Sequence, residues 1–194
     1  MIVGRDFVWA HLGKAGGEMT HALFSLFPEV VEFADGAHTA EQHTAFQDRP
    51  EMVAGKQRLL NIRRLPTWML SHHVWKSVHG LAPDFRGVPM LSPFEIAESD
   101  VADRFLRRYR PPEDPHIDVW LRTEHIVDDF LAFIRQRTEV TDAHLQAIRA
   151  LPRVNELKYD KRIDHWFTAA HIRLMYLRNP EWAAIEAAVY GDGR

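Results

Sequence analysis

The stretch "FVWAHLGKAGGEMTHALF", residues 7–24, passes from an apolar run of strand length through a small-residue turn into a helical pattern. In "FVWAHL" (7–12) the apolar residues suit a buried strand, and Gly13 with the pair Gly16 and Gly17 permits sharp backbone turns. From about Glu18 to Phe27, the residues Ala22, Leu23, Leu26 and Phe27 recur at helical spacing until Pro28 ends the pattern. The expected motif is strand, glycine turn, helix. Backbone N–H groups of such a turn, with the positive end of the helix, hold phosphate-like anions, and Lys14 adds a mobile full charge. Glu18 brings a carboxylate to the same place.

Further along, "EVVEFAD" (29–35) suits a second strand, and "HTAEQHTAF" (38–46) a helix with Thr39 near its N-terminus. "RLLNIRR" (58–64) is strand-like, and Pro66 suits the first turn of a helix carrying Trp68, Met69, His72 and Trp75. This is a second strand-to-helix junction. The segment 80–115 holds many of the prolines, with a short helix expected around 94–108 and irregular structure around it. "IDVWLR" (117–122) predicts a strand and "TEHIVDDFLAFIRQ" a helix with Ile126, Val127, Phe130 and Ile134 on one face. Helical patterns also cover 141–150, 168–177 and 180–190, the last with Asn179 as N-cap and Pro180 at the first helical position. Strands alternating with helices predict a three-layer α/β/α domain around a mainly parallel sheet.

The 194 residues suit a single domain over 1–194, with a variable cover or acceptor-side segment at about 80–115. A formal charge of −3 gives no general attraction to nucleic acid or to acidic membranes, so an anionic ligand requires a local pocket. The absence of Cys excludes disulfides, a thiolate nucleophile and Cys-ligated metal. The first residues carry no signal-peptide pattern, and the cytoplasm is the default expectation.

The turn differs from a Walker A loop, which places Lys after the last Gly and a Ser or Thr next, to hold magnesium. Here Lys14 precedes the Gly pair and Ala15 follows it, so a P-loop kinase or NTPase reading lacks its magnesium hydroxyl. The order resembles the loop of the sulfotransferases, where an apolar strand and a His lead through a short turn to Lys, a small residue, Gly, Gly and Thr or Ser. In that family the loop holds the 5'-phosphosulfate of 3'-phosphoadenosine 5'-phosphosulfate. In "IRRLPTWMLSHH", Arg63 and Ser71 stand eight residues apart, which is similar to the family's Arg at a strand end and Ser on the next helix around the donor's 3'-phosphate. "HTAEQ" resembles the His-Leu-Thr-Ala segment of the carbohydrate-type and bacterial branch, and "WLRTEHIVDDF" its Arg-x-Glu-x-x-x-x-Asp-Phe strand and helix. "LPRVNELK", followed by an aromatic-rich C-terminal helix, completes the order of elements over roughly residues 5–190.

The resemblance implies a P-loop NTPase-like fold of the sulfotransferase type and a PAPS-dependent sulfotransferase. The co-substrate is 3'-phosphoadenosine 5'-phosphosulfate, without metal, and the acceptor a hydroxyl of a carbohydrate or small molecule. It assigns the donor's phosphates to Lys14, Ala15, Gly16, Gly17, Glu18, Thr20, Arg63 and Ser71. Lys14 would neutralise the departing phosphate while N–H groups from Ala15 to Glu18 hold its other oxygens. His38 is the first candidate for the base that takes the acceptor's proton, with His43 and Glu41 in reserve. Nucleic acid and membrane are not expected partners. The rival from another class is a non-catalytic relative that binds a nucleotide or a protein partner.

Other signals have plainer readings. Since side chains alternate along a strand, only one of Arg63 and Arg64 faces a site. His72 and His73 are helix neighbours, which point about 100° apart and chelate poorly. His11 reads as a hydrogen-bonded core residue, Glu124 as a strand-end anchor, and Lys158, Lys161 and Arg162 as a solvated basic cluster. For Glu18, where the family has Thr or Ser, three outcomes stand open: the carboxylate swings outward while its N–H still binds, Thr20 supplies the hydroxyl, or the donor is no longer bound.

Overall fold

The computed structural model describes residues 1–36, 40–79, 91–152 and 158–191. The chain begins with a hairpin in which β1 (Ile2–Gly4) turns at Arg5 and Asp6 into β2 (Phe7–Ala10). α1 (Gly17–Ser25) follows the glycine turn, and after a 3₁₀ turn at Pro28–Val30 comes β3 (Val31–Ala34). Two further 3₁₀ turns, Ala40–His43 and Phe46–Asp48, precede the short α2 (Pro50–Val53) and β4 (Gln57–Ile62). Next are α3 (Leu65–His79), α4 (Pro93–Glu98), α5 (Val101–Tyr109), β5 (Val119–Arg122) and a 3₁₀ turn at Thr123–His125. The remaining helices are α6 (Ile126–Ile134), α7 (Asp142–Ala150), α8 (Ile163–Trp166), α9 (Ala169–Arg178) and α10 (Pro180–Tyr190).

This is an α/β protein with a five-stranded mixed sheet flanked by helices, in the order β3-β1-β2-β4-β5. β2, β4 and β5 pair in parallel, with Trp9 opposite Leu59 and Leu60 opposite Trp120. β1 is antiparallel to both its neighbours, β2 and β3, so β3 runs in the same direction as the parallel group. The β1 strand was not expected from the sequence, because three residues are too few to show a period.

Two compact units divide the chain, Met1–Ile62 with Arg108–Glu156, and Arg63–Arg107 with Leu157–Arg194. The first contains the whole sheet. Ile2, Phe7, Trp9, Leu59 and Leu121 cover one sheet face and bury against Leu23, Phe24 and Phe27 near α1 and Phe130, Phe133 and Ile134 of α6. Phe24 stacks on Phe7 at 5.3 Å and meets Phe130 edge-on at 4.9 Å, geometries that add to the area term of aromatic burial. α6 is tied to the sheet by Asp129, which accepts from the Arg122 backbone N–H at 2.8 Å and from its guanidinium at 2.9 and 2.6 Å. Burial opposes the Asp129 charge, and the Arg122 bonds outweigh it, holding the carboxyl below its ordinary value.

In the second unit Trp68 of α3 stacks on His72 at 4.9 Å and packs against Trp182 of α10 at 4.9 Å and Phe105 of α5 at 5.6 Å. Asn179 stands at the N-cap position of α10, as expected, but its side chain makes no capping bond to that helix. Its Oδ1 accepts from the N–H groups of Ala102 and Asp103 at the start of α5, while the Asp103 carboxylate accepts from Glu181 and Trp182 at the start of α10. Each helix is capped by the other's residue.

Two other expectations are corrected. No α-helix forms over 40–46, where Thr44 turns its hydroxyl onto the Glu41 carbonyl at 2.6 Å and the backbone closes in 3₁₀ turns. The helix expected around 94–108 is two helices, interrupted at extended Ser99. Among the described residues no helix is long and apolar enough to cross a membrane.

Candidate functional site

The sheet sets the direction of β2 so that its chain leaves the parallel group at the C-terminal end, where ligands of α/β proteins gather. The turn that follows is tight. Lys14 has φ 65° and Gly16 φ 89°, both left-handed, and Lys14 is the single non-glycine residue with positive φ among the described residues. Such a conformation costs a side-chain-bearing residue about 1–2 kcal/mol and persists where the surroundings impose it. The surroundings are specific here. Ala15 donates to the Leu12 carbonyl at 3.3 Å, and its own carbonyl lies 2.7 Å from the Thr123 hydroxyl, which is also 3.0 Å from the Ile62 carbonyl. Thr123 therefore clamps the turn to the end of β4.

Beneath the turn lies a buried polar chain. Trp9 Nε1 donates to Asn61 Oδ1 at 2.7 Å, and Asn61 Nδ2 donates to the Thr20 hydroxyl at 3.0 Å, which lies 3.3 Å from the Gly16 carbonyl. Thr20 and Asn61 are fully buried. The Thr20 hydroxyl is committed to fastening α1 under the turn and is not presented at the surface. The Ala15 N–H is likewise engaged, by the Leu12 carbonyl.

His11 packs against the opening of α1 so closely that a Cβ on Gly17 would lie 1.9 Å from its Nε2. Its Nδ1 is 2.9 Å from Gln42 Nε2, and Gln42 Nε2 is also 2.5 Å from Glu18 Oε1. Since the Gln42 amide donates to both, His11 Nδ1 accepts and the imidazole is the neutral Nε2–H tautomer. Burial, then the neighbouring His43 and His21, push the His11 pKa down to about 2, which agrees with that tautomer. The core role expected for His11 is what the geometry displays.

His38 lies outside the described residues. His43 is exposed, its Nδ1 stands 3.1 Å from the His11 carbonyl, and its Cε1 would be 3.7 Å from a Cβ on Gly13. A carbonyl can only accept, so Nδ1 carries the hydrogen of that bond. Tyr109 donates to the His43 carbonyl at 3.2 Å and holds the 3₁₀ turn in place.

In the second unit the two arginines have different partners. Arg64 lies 3.4 Å from the buried Glu186 carboxylate and 4.1 Å from the centre of the Tyr190 ring. Glu186 also accepts from the Leu65 N–H and the Tyr176 hydroxyl, so Arg64 belongs to the packing of α3 on α10. Arg63 Nε donates to Thr67 Oγ1 at 3.1 Å in the first turn of α3, and Ser71, a turn further on, is mostly buried. Of the Lys158, Lys161 and Arg162 cluster, Arg162 is paired with Asp160 at 2.7 Å, and all three side chains are exposed. Among the described residues no three His, Asp or Glu side chains are arranged to hold a metal.

Asn61, Thr123 and Gln42 shape the turn and were not singled out from the sequence. A lone polar residue inside the apolar run "RLLNI" is a usable signal for Asn61, whereas Thr123 acts across 108 residues and has no local signal. The fold and turn define an α/β protein with a strand-turn-helix motif at the end of β2. Compared with protein-family models, curated proteins and solved structures, the chain matches none.

Proposed function

We propose that the protein is a sulfotransferase-like α/β/α protein of P-loop-like type that moves a sulfuryl group from 3'-phosphoadenosine 5'-phosphosulfate to a hydroxyl of a carbohydrate or small metabolite. The observation that carries the reading is Lys14, held in left-handed backbone in a clamped turn between the C-terminal end of β2 and the start of α1. Strain of this kind concentrates at ligand sites, and a cation in the turn supports the reading because it would offset charge that gathers on a leaving phosphate. In the proposed step the acceptor oxygen bonds to sulfur as its proton passes to His43 Nε2. The sulfur–oxygen bond to the 5'-phosphate breaks, and Lys14 with the first turn of α1 stabilises the dianion that departs. By the resemblance stated above, Arg63 and Ser71 serve the 3'-phosphate. A cytoplasmic place of action suits a chain without Cys.

A second reading has its own support: the Glu18 carboxylate beside the turn repels a phosphate and suits a non-catalytic relative that has lost the donor and binds another nucleotide or a protein partner. Calorimetric titration with 3'-phosphoadenosine 5'-phosphate tests the donor site. Micromolar binding is expected, weakened about tenfold or more by Lys14→Ala and by Arg63→Ala. Sulfuryl transfer to a hydroxyl acceptor, lost in His43→Ala with nucleotide binding kept, separates enzyme from binder. Absence of binding by the folded wild type removes the donor reading.

A further inference from the structure

Glu18 is the second residue of α1, and its carboxylate accepts from Gln42 Nε2 at 2.5 Å. Gln42 is 5 % exposed, and its amide nitrogen is shared between Glu18 and His11 Nδ1. Turning the amide over would set its oxygen against the carboxylate, and withdrawing the carboxylate would leave a buried N–H without that acceptor; both are costly. His11 cannot relieve the situation by taking up a proton, because its ring is buried between Trp9 and Gly17. Of the three outcomes open at the sequence level, outward swing is disfavoured by this lock, and Thr20 is already committed to Asn61. The carboxylate therefore stays beside the turn when an anion arrives.

We infer that Glu18, locked by Gln42, is a specificity-determining residue that selects ligands by the charge they place in the turn, disfavouring a terminal phosphate relative to a phosphosulfate. The inference rests on the reading of the turn as the 5'-phosphosulfate site. A phosphosulfate spreads two charges over two groups, one of them on the phosphate, whereas the desulfated product carries nearly two on a single 5'-phosphate at neutral pH. A fixed carboxylate several ångströms away repels the second form more, by about a factor of ten for one extra charge in a half-buried setting. The consequence for turnover is a donor bound at little penalty and a product that leaves more readily.

The test is calorimetric titration of the full chain, wild type, Glu18→Gln and Lys14→Ala, with two probes: 3'-phosphoadenosine 5'-phosphate and 3'-phosphoadenosine 5'-phosphosulfate. Glu18→Gln keeps an oxygen for Gln42 and removes only the charge. Its affinity for the 5'-phosphate is expected to rise about tenfold, and for the phosphosulfate by clearly less. Equal gains for both probes, or none, overturn the inference while the site reading stands, provided that Lys14→Ala weakens both. Binding indifferent to Lys14→Ala, or no binding by any folded variant, overturns the site reading and the inference together. Glu18→Thr, which removes charge and amide partner alike, replaces Glu18→Gln if that variant does not fold, and the same selective gain for the 5'-phosphate is required of it.

Discussion

At Gly17 the absence of a side chain is a packing requirement. A Cβ there would lie 1.9 Å from His11 Nε2, and the imidazole has nowhere to go, since Gln42 holds its Nδ1 and Trp9 stacks on it at 5.5 Å. Gly17→Ala is expected to cost about 2 kcal/mol or more, at the upper end of overpacking effects, and to blunt anion binding by displacing the start of α1. Urea unfolding of the variant reads the first effect; a cost below about 0.5 kcal/mol would show that the ring is free to shift. The pair Gly16 and Gly17 was legible as a turn, but the demand for Gly17 in particular was not. It comes from a ring brought into place by β2 and by Gln42, neither of which leaves a mark on the local pattern.

The helices show how element boundaries are decided by neighbours. Ser92 with Glu95 and Thr141 with His144 cap their own helices, α4 and α7, and these starts follow the local pattern of a hydroxyl before a helical run. α5 and α10 are different: Asn179 serves α5 with both lone-pair directions of Oδ1 while its Nδ2 donates to Ser99 and Met175, and Asp103 serves α10. Asn179 is fully buried, so no water replaces what it supplies. Asn179→Ala is expected to destabilise this unit by about 2 kcal/mol, the combined loss of a cap and of buried donors. Denaturation followed by Trp fluorescence is the measurement, with Trp68 and Trp182 as reporters in the same unit. Loss of under about 0.5 kcal/mol would mean that the two helices are capped by other groups. Burial holds the Asp103 carboxyl above its ordinary value against the pull of the Trp182 and Glu181 N–H groups, so Asp103→Asn is expected to be the milder change.

At the scale of the whole molecule, the buried His11 and His73 contribute to the response to acid. Burial, followed by nearby positive charge, lowers His11 to about 2 and, with Lys76 second, His73 to about 4, against an ordinary value of 6.5. Below pH 6.5 the unfolded chain binds protons that the folded chain refuses, so stability falls as pH falls, by up to about 1.4 kcal/mol per pH unit for each histidine. The window closes near pH 4 for His73 and continues toward pH 2 for His11. Asp129, held below the ordinary carboxylate value, acts at the lower end of the scale, beneath the interval from pH 7 to 5 in which both histidines act. The thermal midpoint is expected to drop across that interval, and His73→Phe to remove part of the drop. A midpoint flat from pH 7 to 5 would count against both assignments.

By itself the sequence determined the kinds of element and their order, because apolar period, turn residues and hydroxyl caps are local properties: β2, the glycine turn, α1, β4, α3, β5 and α6 stand where the pattern predicts them, within a few residues. It also marked the turn around Lys14. Tertiary structure alone decided which groups hold that turn. Thr123 reaches Ala15 from 108 residues away, Asn61 fastens Thr20, and Gln42 holds Glu18 and His11 at once. Hydrogen bonds between distant residues depend on where the sheet and helices bring their side chains, and a chain carries no local record of that meeting. The short β1 belongs with them, since three residues become a strand only when β2 and β3 lie on either side to complete their hydrogen bonds.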